Sequence, residues 1–92
     1  MRRKTERELE GMLAEAAKSV KVGRRYRHSK TGGEYTVVEL VLWEATEEVA
    51  VIYRPEYGDE KFLWARTLAV FLEDVEIDGV VRKRFELMEE SK

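Results

Sequence analysis

The apolar residues of this chain change period once, near Gly23, and that change limits what the chain can fold into. Before it, Leu9, Met12, Leu13, Ala16, Ala17 and Val20 recur in steps of three and four, the stripe of an amphipathic helix. Thr5, followed three residues later by Glu8, forms a capping box, which predicts a helix over residues 5–20. Glu6, Arg7, Glu10, Glu15 and Lys18 fill the opposite face. A helix of this length is marginal in isolation, so its stripe must cover a surface, either its own chain's or that of a second copy.

After Gly23 the period is two, the pattern of strands. Runs at residues 24–28, 34–43, 49–54, 62–66, 72–77 and 80–87 fit short strands, with a single helical turn at 67–71. Gly32-Gly33 marks a turn, Pro55 ends the third strand, and Asp78-Gly79 is a two-residue hairpin signal. Val37-Val38 and Leu40-Val41-Leu42-Trp43 interrupt the alternation of the longest strand and predict a bulge there. Five or six short strands with close turns predict a mainly β protein: a small SH3-type β-barrel with an N-terminal amphipathic helix. The division expected is a helical extension at 1–21, a barrel at 22–88 and a frayed tail at 89–92.

Composition removes several functions. With 92 residues the chain is expected to form one domain with a small core. It has no cysteine, which excludes disulfides, iron–sulfur clusters and thiolate zinc sites, and favours a cytoplasmic setting. No apolar run reaches the roughly 18 residues of a membrane span. Charge is uneven. Residues 1–30 carry ten Lys/Arg against four Glu, whereas residues 31–92 carry seven against fifteen acids. The basic cluster Arg2, Arg3, Lys4, Arg24, Arg25 and Lys30 could therefore contact phosphates, although the acidic remainder argues against a broad nucleic-acid surface.

Catalytic and metal signals are sparse. His28 is the only histidine, and no nucleophile elbow accompanies it; its neighbour Ser29 would point to the other face of a strand. Asp74-Val75-Glu76-Ile77-Asp78-Gly79 resembles the start of a calcium loop, but Phe85 stands where the bidentate Glu is needed. No catalytic residue, metal site or cofactor is expected, and an enzyme or enzyme subunit using His28 and Arg66 is the least favoured of the three readings. The densest stretch runs from Tyr53 to Arg66 and contains the only proline. With Tyr26 and Tyr35 it supplies five amphipathic aromatics, each with an apolar body and one hydrogen-bonding tip. The candidate groove is Tyr26, Arg27, His28, Tyr53, Arg54, Tyr57, Trp64 and Arg66. These residues make either a binding groove for a small ligand, peptide or protein, or the ends of a core. A monomer is the favoured state, with a helix-paired dimer as the alternative.

Tyr26-Arg27-His28-Ser29-Lys30, then Gly33-Glu34-Tyr35-Thr36-Val37, resembles a small bacterial domain family of uncharacterised function with a pattern like YRHYKG-x-Y-x-V. Val51-Ile52-Tyr53-Arg54, Tyr57-Gly58-Asp59, Trp64-Ala65-Arg66, Phe71-Leu72-Glu73-Asp74-Val75, Asp78-Gly79 and Arg84-Phe85 continue the resemblance in order, over about residues 22–85. The resemblance implies an SH3-type barrel and no particular activity. Leu42-Trp43-Glu44-Ala45-Thr46 departs from the family's polar segment at that point, and Thr67 replaces a proline after Trp64-Ala65-Arg66. The loop after Tyr57-Gly58-Asp59 is one residue longer, and the N-terminal helix lies outside the shared region.

Overall fold

The computed structural model describes residues 3–59 and 61–89. Arg2 of the basic cluster and residues 90–92 of the expected tail lie outside the described residues. The fold is mainly β: a helix, α1 (Glu6–Ser19), precedes seven strands in two antiparallel sheets. The strands are β1 (Arg25–His28), β2 (Glu34–Trp43), β3 (Glu48–Pro55), β4 (Trp64–Thr67), β5 (Asp74–Ile77), β6 (Val80–Lys83) and β7 (Phe85–Leu87). A single turn, α2 (Leu68–Phe71), joins β4 to β5. The larger sheet has the order β4-β3-β2-β1-β7, and β5-β6 is a separate hairpin. These ladders leave β4 and β7 as the two edges of the larger sheet and do not by themselves define a closed barrel.

Local chemistry explains most boundaries. The capping box forms: the Thr5 hydroxyl accepts from the Glu8 N–H at 3.1 Å, and the Glu8 carboxylate accepts from the Thr5 N–H at 2.9 Å. Those amide bonds, with the Thr5 hydroxyl and Lys4 contributing, hold the Glu8 carboxyl below its usual range. The predicted bulge lies between Val37 and Glu39. It lets Val37 and Leu40 both face the core on either side of the irregularity, opposite Tyr53 and Val51. At the hairpin, Asp78 and Gly79 both take positive φ, 51° and 79°, as a two-residue turn of the primed type requires.

Two expectations change. Residues 80–87 are two strands rather than one. At Arg84 the chain leaves β5 and joins β1: the Arg84 N–H donates to the Glu73 carbonyl and the Arg84 carbonyl accepts from the Ser29 N–H, each at 2.8 Å. The strand expected at 72–77 begins only at Asp74, because α2 runs to Phe71 and the Leu72 N–H still closes on the Leu68 carbonyl.

The helix packs on its own chain, against β2 and β3. Leu9, Ala16 and Val20 are buried, Met12 and Leu13 are half-buried, and Ala17 is exposed. Val20 joins Tyr26, Val37, Val51, Tyr53, Phe71 and Phe85 in the core. A feature absent from the sequence pattern fixes the start of the helix. Glu47, in the β2–β3 turn with φ 59°, is buried, and its carboxylate accepts from the backbone N–H groups of Arg3 and Lys4 at 3.2 Å. An anion at the N-terminal end of a helix also opposes the positive end of its dipole.

Candidate functional site

Strand alternation divides the candidate residues between the two faces of the larger sheet. Tyr26 and His28 on β1, Tyr35 and Val37 on β2, Val51 and Tyr53 on β3, and Phe85 on β7 share the inner face. Trp64 and Arg66 of β4 pair with Tyr53 and Val51, so they stand on the same face at its rim. Arg27 and Arg54 project from the other side. There Arg27 lies 3.7 Å from Glu34, and Arg54 lies 3.2 Å from Glu56. Glu56 also accepts from the Thr36 hydroxyl, at 2.5 Å, and faces Arg25 at 4.0 Å. The hydroxyl, with Arg54 and Arg25, holds the Glu56 carboxyl below its usual range against the opposing effect of burial. Six of the eight groove candidates therefore belong with the inner-face cluster, and two belong to an outer charge network.

On the inner face the rings form one seam from core to surface. Phe71 and Phe85 stack at 4.3 Å and 4°. Tyr53 meets Phe85 at 5.5 Å, Tyr35 meets Tyr53 at 5.2 Å, and Tyr57 meets Tyr35 at 5.6 Å. Tyr26 and Tyr53 are buried, Tyr35 is half-buried, and Tyr57 and Trp64 are about half exposed. Tyr26 is a core residue: its hydroxyl accepts from the Lys21 N–H at 2.9 Å, tying the end of α1 to β1. Phe62 and Leu63 are exposed beside Trp64, and the Phe62 and Trp64 rings lie 6.1 Å apart.

Arg66 is fixed at the rim of this seam. Its Nε donates to the Tyr53 hydroxyl at 2.9 Å, and its guanidinium carbon lies 5.5 Å from the centroid of the Phe85 ring. Among the described residues no carboxylate pairs with it. His28 packs edge-on against Phe85 at 4.9 Å and is buried. Burial, then the charges of Arg66, Arg84 and Lys30, push its pKa below the ordinary imidazole value. The ring is therefore neutral at pH 7. Ser29, beside it in sequence, gives its hydroxyl to the Lys83 carbonyl, so it is no partner for the imidazole. Among the described residues, no group of three or more His, Asp or Glu could hold a metal ion.

Tyr57 covers one end of the seam because Gly33 makes room for it. A Cβ at position 33 would lie 2.9 Å from the Tyr57 ring. Gly32, with φ 76°, carries the turn's unusual backbone, whereas Gly33 supplies space. A shallow depression of about 390 Å³ opens beside Tyr57, walled by Thr31, Gly32, Glu34 and Glu56. The Tyr57 and Tyr35 hydroxyls are 2.7 Å apart. Burial first, then that hydrogen bond and the neighbouring tyrosines, raise Tyr35 from 10.0 to about 12. A group held protonated in this way contributes stability that is complete below pH 10.0 and is lost as pH rises towards 12. Tyr57→Phe removes the hydroxyl pair, so phenolate absorbance should show a tyrosine titrating near 12 in the wild-type chain and its shift towards 10 in the variant. An unchanged titration would mean that burial alone sets the Tyr35 value.

The five described basic candidates do not form one surface. Arg3 and Lys4 sit by Glu47 at the β2–β3 turn, and Lys30 sits in the β1–β2 turn at the other end of β2. The ten residues of β2 separate these ends by roughly 30 Å. Arg25 faces Glu34 and Glu56, and Arg24 donates to the Met88 carbonyl at 3.0 Å. Sequence reasoning missed Phe85, Gly33 and Arg84 as parts of the inner-face cluster. Phe85 and Gly33 both lie within the motifs that resemble the bacterial family, which is the one signal that could have singled them out.

Fold and site together define a small mainly β domain with a single aromatic seam that ends at an arginine on the surface. The chain belongs to the family described as a protein of unknown function, DUF1653, whose pattern it matches over residues 24–87. It is similar to the crystal structure of a member of that family from Bordetella bronchiseptica. The two are 26% identical with a TM-score of 0.69, over 82% of this chain and 95% of that one. No curated protein matches it.

Proposed function

We propose that this chain is a cytoplasmic, non-enzymatic binding module of SH3-type architecture, and that the open end of its aromatic seam is the ligand seat. One observation carries this: Arg66 is held in place by Tyr53 and Phe85, is only half-buried, and has no carboxylate partner among the described residues. A guanidinium whose orientation is already fixed loses little freedom on binding. Tyr57, packed on Tyr35, and Trp64, paired with the Tyr53 that holds Arg66, offer half-exposed rings suited to a flat or apolar group. The ligand expected is a small molecule or a peptide side chain of that kind. An enzymatic role through His28 has less support, since the imidazole is buried and neutral and no nucleophile adjoins it. Nucleic-acid binding through the basic N-terminal third would have to bridge two ends of a sheet and would be weak and salt-sensitive.

Benzamide, a neutral flat fragment, tests the seat. Its titration should shift backbone amide signals at Tyr35, Tyr57, Trp64 and Arg66, and Trp64→Ala should weaken it about tenfold, in line with about 1–3 kcal/mol for a stacked ring. Shifts confined to Arg3, Lys4 and Arg25, or none at millimolar fragment, would overturn the proposal.

A further inference from the structure

The seam ends beside two buried nitrogen atoms that none of the described residues satisfies. His28 is 8% exposed, and its Nδ1 has no hydrogen-bond partner; the same holds for the buried Nε of Arg84. Buried polar atoms are nearly always paired, and an unpaired one costs about 1–3 kcal/mol. The charges that act on His28, those of Arg66, Arg84 and Lys30, have one sign, and the Glu73 carboxylate is engaged by Arg84 Nη2 at 2.5 Å. The acids of the adjoining strands, Glu34 and Glu56, belong to the outer network with Arg25, Arg27 and Arg54. His28 and Arg66 both lie against the same ring, Phe85, and the Arg66 charge acts on the His28 imidazole.

We infer that the seat contains an oxyanion subsite, in which Arg66 holds a carboxylate or phosphoryl oxygen of the ligand and His28 Nδ1 is the buried donor behind it. The inference rests on the binding-module reading and adds the chemical class of its ligand. Arg66 and Lys30 supply the field, and the Arg66 fork matches the two oxygens of such a group. Bound charge of opposite sign favours the imidazolium form of His28, so the oxyanion and the His28 proton bind cooperatively. Affinity therefore rises as pH falls through the His28 titration, whose midpoint in the free chain lies below the ordinary imidazole value.

The chain has one histidine, so its ring protons give a single resolved titration. That titration is followed in chloride, acetate and phosphate at equal ionic strength, in the wild-type chain, Arg66→Gln and Arg66→Lys. The expected result is a rise of about one unit in the His28 pKa in acetate or phosphate over chloride. It should be lost in Arg66→Gln and retained in part in Arg66→Lys, with circular dichroism showing both variants folded. A response to acetate alone assigns a carboxylate ligand, and a response to phosphate alone a phosphoryl ligand. Equal pKa values in all three salts, or a rise that survives Arg66→Gln, would overturn the subsite. If benzamide still binds in that case, the seat stands and only its oxyanion chemistry falls. If neither benzamide nor the anions bind, both readings fall.

Discussion

Phe85→Ala should cost about 3–5 kcal/mol of stability, the range for losing a fully buried phenylalanine. The ring is 4% exposed, is stacked on Phe71, and is met by His28, Tyr35, Tyr53 and the Arg66 guanidinium. With Tyr53 it joins the core to the rim. A domain of this size has roughly 5–15 kcal/mol in all, so the variant should melt far below the wild-type chain, by about 4–8 °C per kcal/mol. Phe85→Leu should recover much of the stability, because it refills most of the volume. It should not restore His28 or Arg66 to their wild-type behaviour, because both use the ring as a platform. A loss below about 1 kcal/mol in Phe85→Ala would show that the core does not depend on this ring.

Val20→Asp is the second large effect. Val20 is fully buried where α1 ends, in the same core as Phe71 and Phe85. The change removes about 1.5 kcal/mol or more of apolar burial and puts a carboxyl where none can be solvated, so about 4 kcal/mol in total is expected. Because α1 covers its own β2 and β3, the melting temperature of both proteins should be independent of protein concentration. The destabilisation should be milder at pH 4 than at pH 7, since protonation removes the buried charge. Conversion of a dimer into a stable folded monomer would instead make α1 an assembly device. Contacts at both ends of the helix hold it on its own sheet: Glu47 binds the backbone of Arg3 and Lys4, and Tyr26 binds that of Lys21.

How much of this was legible in the sequence differs from element to element. The capping box, the bulge after Val37 and the Asp78-Gly79 turn were readable because each is set by residues within four positions of one another. The division of residues 80–87 was not. Both halves keep a period of two, and the pattern says nothing about which partner a strand chooses; only the Arg84 bonds to Glu73 and Ser29 decide that. Gly33 read as a turn glycine, yet its contribution is the space for Tyr57, a contact 24 residues away in sequence. The groove was legible as a composition and not as a geometry. Arg27 and Arg54 sit one residue from inner-face positions on their strands, and alternation alone assigns them to the outer network.

The central claim is that the aromatic seam opens onto a ligand seat at Arg66. Benzoate joins a flat ring to a carboxylate, so an amide and imidazole shift map on its titration tests both parts at once. The account predicts saturable shifts at Tyr35, Tyr57, Trp64 and Arg66, together with a raised pKa at His28. Shifts centred instead on the apolar groove between α1 and α2, at Met12, Val49 and Leu68, or no saturable response, would contradict it.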